Sequence, residues 1–193
     1  MISTRFTETF GVDYPVVCGG MTAVGTAVLI PAAARHVGIP LIAGGGFADG
    51  AGLVAALALG ASAINMGTRF VASDEAPVHR NVKDQIVAND ERATQLVFRE
   101  FRNTARVARN AISEEIAERS RRPGATFADV ADLASGARGR SRVLQDGDMG
   151  GGMWWAGQAQ GLIHSVESCR AIVYSIIEQA ESIMCGQLPA AVR

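Results

Sequence analysis

Apolar positions in this chain come in short unbroken runs that end in glycine, separated by stretches with helical periodicity. The first run, Tyr14-Pro-Val-Val-Cys18, breaks into Gly19-Gly20-Met21 and reads as a buried strand closed by a tight loop. Residues 26–37 are helix-compatible, with Pro31 near a first turn; Gly38 stops them, and Pro40-Leu-Ile-Ala43 gives a second strand-like run ending in Gly44-Gly45-Gly46. Asp49 to Leu59 is rich in Ala and Leu with Gly60 just beyond, which predicts a helix with a glycine C-cap. Ala63-Ile-Asn-Met66 is a third strand, closed by Gly67-Thr68-Arg69-Phe70. Two strand-glycine-helix units thus follow one another, with Gly46 and Gly67 in equivalent positions. Strands that are apolar throughout and alternate with helices predict an α/β fold with a parallel sheet covered on both faces.

Beyond Ser73 the pattern changes. Residues 81–89, 93–102, 107–120 and 127–133 read as helices with polar faces, and no further strand stands out. Gly147 to Gly152 is a loop. A last helix is expected from about Glu167 to Met184, with Ile172, Val173, Ile176, Ile177, Ala180, Ile183 and Met184 on one stripe that needs a partner surface. The chain is therefore expected to form a single domain over 1–193. Its strand-loop-helix units occupy 1–73, and 74–193 is a mainly helical remainder.

Composition narrows the function classes. At 193 residues the chain suffices for one globular core, whereas a closed eight-fold α/β barrel typically takes roughly 250. Apolar residues at 48% and charged residues at 19% exclude a chain kept disordered by its own charge. The formal net charge of −1 removes the broad positive field of a non-specific nucleic-acid binder. Residues 99–142 carry ten arginines against six acidic residues, but only Phe101 and Phe127 are interleaved. That segment reads as a solvated helical face, with arginines paired to Glu114, Glu115 and Glu118. The longest apolar run, Ala51 to Ile64, is too short and glycine-interrupted to cross a bilayer, and Met1 to Val12 lacks a signal-peptide pattern, so a cytoplasmic location is expected. Cys18, Cys169 and Cys185 have no CxxC spacing, which argues against a disulfide framework and against a metal site.

Candidate chemistry lies in the glycine clusters. Main-chain N–H groups at the C-terminal end of a strand, just before a helix, make a site for phosphate, and glycine lets its oxygens approach the main chain. Gly44, Gly45 and Gly46 offer one such site, Gly67 and Thr68 another, with the Thr68 hydroxyl as a further donor.

Pro40-Leu-Ile-Ala-Gly-Gly-Gly-Phe-Ala-Asp-Gly50, Ala55-Ala-Leu-Ala-Leu-Gly-Ala61 and Asn65-Met-Gly-Thr-Arg-Phe70 together resemble the nitronate monooxygenase family. So do Arg5-Phe6, Tyr14-Pro15 and Gly19-Gly20-Met21 at the start, and Leu144-Gln-Asp-Gly-Asp148 and Trp155-Ala-Gly-Gln-Ala-Gln-Gly-Leu-Ile163 toward the end. The resemblance implies a TIM barrel with FMN on its C-terminal face and oxidation of nitronates or nitroalkanes by molecular oxygen. It places Gly20 and Met21 against the flavin, Gly45 and Gly46 around the FMN phosphate, and Gly67 and Thr68 on the same phosphate. The middle departs from the family. Only 19 positions separate Met21 from Pro40, where the family has several more strands and helices and a Gly-Gly-His motif that supplies the base. Val24-Gly25-Thr26 and Leu29-Ile30-Pro31 resemble both sides of that gap, as an in-frame deletion would leave them. An incomplete, parallel-stranded barrel with exposed edges and a tendency to self-associate is the expectation.

No catalytic residue is assigned. His36, His79 and His164 read as surface or structural residues. Gln158 lies in a family segment that approaches the active-site face, and Trp154 and Trp155 are open to packing or to bordering a ligand. Two alternatives stay open: a catalytically silent relative that keeps a phosphate cradle, and an NAD(P)H-dependent quinone or enoyl reductase sharing the FMN loops.

Overall fold

The structure is a computed structural model and describes Gly11 and residues 41–191. The strand expected at 14–18, the helix at 26–37, and Cys18, Gly20, Met21 and His36 lie outside the described residues. The described chain divides into two compact units at Met66/Gly67 and Val173/Tyr174.

In the first unit, strand β1 (Ile42–Gly44), helix α1 (Gly50–Ala58) and strand β2 (Ala63–Asn65) follow the order read from the sequence. The strands pair in parallel, with Ile42 opposite Ala63 and Gly44 opposite Asn65, so they run out at the same end. The Asp49 carboxylate caps α1 by accepting from the Gly52 N–H at 2.8 Å. Gly60 follows the helix at φ +97°, a left-handed position that favours glycine. Ala43, Ala56 and Ala61 form the unit's small core, with Phe47 and Ile64 against it.

The long C-terminal helix, α5 (Cys169–Ser182), supplies its 174–182 portion to this unit. It departs from the single stripe expected of it. Ile172, Ile176 and Ala180 are buried at four-residue spacing, while Val173, Ile177 and Met184 are more than 40% exposed. Consecutive residues on a helix stand about 100° apart. The seven apolar positions therefore cover more than one face, and only one face is packed. A π-helical segment, Ile183–Gln187, then alters the register.

A Cβ at Gly50 would stand 2.5 Å from the Ile176 carbonyl oxygen and 2.6 Å from the Ala180 nitrogen, both backbone atoms of α5. Gly50→Ala is therefore expected to destabilise the protein by about 2 kcal/mol through overpacking, net of the better helix propensity of alanine. A thermal midpoint equal to wild type would show that α5 yields freely there.

The second unit corrects the expectation that no further strand follows residue 73 and that the strands are all parallel. Helices α2 (Thr68–Val71) and α3 (Arg80–Ala88) lead into strands β3 (Thr94–Val97) and β4 (Ala105–Ala108), which pair antiparallel. The helix expected over 93–102 is thus a strand and its loop, and the one expected over 107–120 is helix only as α4 (Ala111–Ser120). Tertiary pairing overrides the helical composition here. Asp90 accepts from the N–H groups of Arg92 and Ala93, turning the chain into β3, and Phe98 at φ +61° ends the strand in a left-handed turn. Val97, Phe98, Val107, Ile112, Ile116, Val130, Leu133 and Met153 form the core between hairpin and helix. Asn110 caps α4 in a reciprocal bond with Ser113 and donates to the Met149 and Gly152 carbonyls, fixing the glycine loop. The 127–133 segment is a single 3₁₀ turn, Phe127–Asp129. A π-helical stretch, Gly139–Gln145, and a 3₁₀ turn, Gln158–Leu162, complete the unit. The described chain is thus α/β with one parallel and one antiparallel strand pair.

Candidate functional site

The glycine clusters belong to different units, and each is built differently. In the first unit Gly44 ends β1, and Gly45 and Gly46 follow at φ +93° and +85°. Two successive left-handed residues turn the chain away from the sheet, and only glycine takes both without strain. All three glycines are exposed, and no described residue accepts from the N–H of Gly45 or Gly46. The helix beyond does not add to this site. Its first amides are already satisfied, Gly52 by the Asp49 carboxylate and Gly50 by Gln179 Oε1 at 2.7 Å. The negative Asp49 answers the positive end of α1.

Gly46 and Gly67 are not equivalent in conformation, which corrects the sequence reading. Gly46 is left-handed and three residues ahead of the α1 cap, whereas Gly67 has φ −102° and is itself the cap of α2. Among the described residues nothing lies within 4 Å of a Cβ built on Gly67. Neither its backbone angle nor its packing requires glycine.

In the second unit the residues after Gly67 are clamped to a segment about ninety positions away. Thr68 Oγ1 accepts from the Gly157 N–H at 2.9 Å, which leaves the hydroxyl hydrogen available to donate. The Arg69 side chain, 7% exposed, donates to the carbonyl of Ser165 at 3.1 Å and to the Glu167 carboxylate at 3.0 Å. Asp74 N–H donates to the Glu167 carbonyl, and Cys169 N–H donates to the Glu75 carboxylate at 2.8 Å. That last bond is the main reason Glu75 is held below the usual carboxylate range. Gln160, fully buried, donates to the Asp90 carbonyl and accepts from the Asn89 side chain, fixing the turn that begins at Gln158. Gly157, Ser165 and Glu167 are thus positioning residues that sequence reading missed. Their only local signal was proximity to the Ala-Gly-Gln motif.

The remaining candidates separate by burial. Gln158 is exposed at the start of its turn, Trp155 is 64% exposed, and Trp154 is buried at 3%. Trp154 is therefore packed inside, and of the two rings Trp155 is the one presented to solvent. His79 caps α3, its Nδ1 accepting from the Asn81 N–H, and its ring lies against Gly147, where a Cβ would come within 2.2 Å. That is a structural role. His164 is exposed, with no hydrogen bond among the described residues. Arg119 pairs with Glu115 and Arg122 with Glu118 at helical spacing, as the sequence implied, while Glu114 has no ion pair among the described residues. Cys169 and Cys185 are free thiols, and no metal-ligating cluster occurs among the described residues. No helix among the described residues is long and apolar enough to cross a membrane.

The family model described as Nitronate monooxygenase matches residues 5–179. The chain is 33% identical to nitronate monooxygenase npaC of Metarhizium robertsii, with 84% of this chain and 48% of the relative covered. Among solved structures it is similar to FabK from Thermotoga maritima, at a TM-score of 0.77 and 34% identity over 86% of this chain and 51% of that one. It is also similar to a nitroalkane oxidase from Streptomyces ansochromogenes, at a TM-score of 0.66 and 26% identity over 83% and 45%. The chain spans about half the length of these proteins.

Proposed function

The chain belongs to the nitronate monooxygenase family, and on that premise we propose that it is an FMN-dependent oxidoreductase that oxidises nitronates or nitroalkanes with molecular oxygen. Gly67 carries this reading. Among the described residues it has no conformational or packing reason to be glycine, and it lies open where a side chain would stand, inside the family's Met-Gly-Thr-Arg-Phe segment. Such a position fits a ligand group that must reach the main chain. Bound FMN would supply the redox chemistry, taking electrons from the substrate and passing them to oxygen.

The protein's own residues then bind and orient. Gly67 and Thr68 offer main-chain N–H groups to the phosphate, and the Thr68 hydroxyl adds a donor whose direction is set by the bond from Gly157. Gly44, Gly45 and Gly46 are assigned to the same phosphate by the resemblance. No described residue accepts from the N–H of Gly45 or Gly46, which leaves both available to a ligand. Gly20 and Met21 are assigned to the flavin on the resemblance alone.

No base is assigned. His79 is committed to its cap, and His164 faces solvent. Base-mediated proton abstraction contributes typically 10²–10⁴-fold. Nitronates, already deprotonated, are therefore expected to be oxidised at least about a hundredfold faster than the parent nitroalkanes. Oxygen consumption with added FMN measures this. Comparable turnover of a neutral nitroalkane, abolished in His164→Ala, would reveal a replacement base. Flavin retention without turnover of either substrate would favour the silent relative, and NAD(P)H-dependent turnover of a quinone or enoyl substrate would favour the reductase. Self-association belongs to the same proposal, since Val173, Tyr174, Ile177 and Leu188 are exposed on the C-terminal helical segment.

A further inference from the structure

The arginine-rich segment is not fully explained as an ion-paired helical face. Arg99, Arg109 and Arg121 have no carboxylate partner and no side-chain hydrogen bond among the described residues. All three line one cavity of about 370 Å³ in the second unit. Gln95 on β3 and the buried Ala117 of α4 form part of its wall, and Glu100 contributes the cavity's one carboxylate. Arg99 follows β3, Arg109 follows β4, and Arg121 ends α4, so the hairpin and helix bring together charges that are dispersed in the sequence. Arg121 also answers the partial negative charge of the α4 C-terminus. That role does not account for Arg99 or Arg109.

A second observation points to an acceptor-rich occupant. Among the described residues two buried side-chain donors lack acceptors, Gln95 Nε2 and Trp154 Nε1. Gln95 lines the arginine cavity, and Trp154 lines a neighbouring one of about 240 Å³. Arg109 is common to both. Buried donors without partners are rare in native structures and often mark a missing ligand or ion. The terminal amide torsion of glutamine is soft, so Gln95 can swing a donor into the cavity.

We propose that this cleft between β3 and α4 binds a small molecule through a diphosphate group, separately from the residues assigned to FMN. Three guanidinium groups against one carboxylate leave about two net positive charges, which suits an anion with at least two negative charges better than a lone carboxylate. Planar guanidinium forks match phosphate oxygens two at a time. A nucleic acid is disfavoured, because Phe127 packs tilted against Phe98 and edge-on against Phe101, and no aromatic ring lines the cavity.

Isothermal titration of the full chain with inorganic pyrophosphate tests this, with ADP, orthophosphate and a single-stranded RNA as parallel probes. Saturable one-to-one binding of pyrophosphate is expected, tighter than orthophosphate. Arg109→Gln should weaken it about tenfold, since it removes charge-assisted hydrogen bonds. Glu100→Gln should tighten it about threefold by removing the only like charge, a gain that misfolding cannot imitate. Arg140→Gln, an exposed arginine outside the cavity, and Gly67→Val should leave it unchanged. Tighter binding of ADP than of pyrophosphate would identify the source as a nucleoside diphosphate, and the reverse as inorganic diphosphate; both support the site. Equal affinity for orthophosphate and pyrophosphate, tighter binding of RNA, or no response to Arg109→Gln and Glu100→Gln would overturn it.

Discussion

Arg69→Ala is expected to destabilise the protein by about 3 kcal/mol, the low end of what breaking a buried ion pair costs. The side chain is 7% exposed and its partner Glu167 is 33% exposed, so the stranded carboxylate keeps some water and the penalty stays at that end. More is lost than one ion pair. The carbonyls of Ala72 and Ser165 lose their guanidinium donor, and the 67–73 and 165–167 segments lose their charged link. In a chain of this size the thermal midpoint should fall by roughly 6–12 °C. Arg69→Lys should recover only part of this, because one ammonium cannot span two carbonyls and a carboxylate as a planar fork does. A double-mutant cycle with Glu167→Gln separates the pair from the rest. A loss below about 1 kcal/mol for Arg69→Ala would mean that the seam is held elsewhere, and that this arginine is available for a ligand after all.

Gly67→Val is expected to abolish retention of FMN through gel filtration while leaving the fold intact. The position has φ −102° and open space where the side chain would go, so the substitution carries no backbone strain and meets no neighbour among the described residues. Its effect on stability should stay within about 0.5 kcal/mol. What it removes is the approach of a phosphate to the main chain, and loss of the associated charge-assisted bonds should weaken FMN at least about tenfold. Gly46→Ala is a poorer probe. At φ +85° it costs roughly 1–2 kcal/mol in backbone strain, so stability and binding fall together. If Gly67→Val holds flavin as well as wild type, judged by visible absorbance, the phosphate assignment of Gly67 and Thr68 is wrong.

The two predictions divide the Met-Gly-Thr-Arg-Phe segment into a part that serves a ligand and a part that serves the fold. Residue type hints at such a division without fixing it. An arginine beside a glycine loop suits an anion as well as a clamp, and only its burial against Ser165 and Glu167 assigns it to the clamp. Trp154 and Trp155 show the same ambiguity, since adjacent identical residues end 3% and 64% exposed. Their fates differ because Ala108 N–H bonds the Trp154 carbonyl and Trp155 bridges to Val107, which turns one ring inward and the other outward.

The sequence by itself determined β1, α1 and β2, the Gly60 cap, the Gly44–Gly46 turn and the i,i+4 arginine pairs along and just beyond α4. Each is governed by interactions within a few residues, where propensity, capping and periodicity act. Tertiary structure decided the rest. Thr94–Val97 and Ala105–Ala108 became a hairpin because Val97, Ala105 and Val107 find a shared core with Ile112 and Ile116, a gain no local window contains. Thr68 meets Gly157 across 89 positions and Arg69 meets Ser165 across 96. The three unpaired arginines converge only once hairpin and helix are packed. Contacts at such separations are fixed by which surfaces exclude water together, and that is a property of the folded chain rather than of any segment of it.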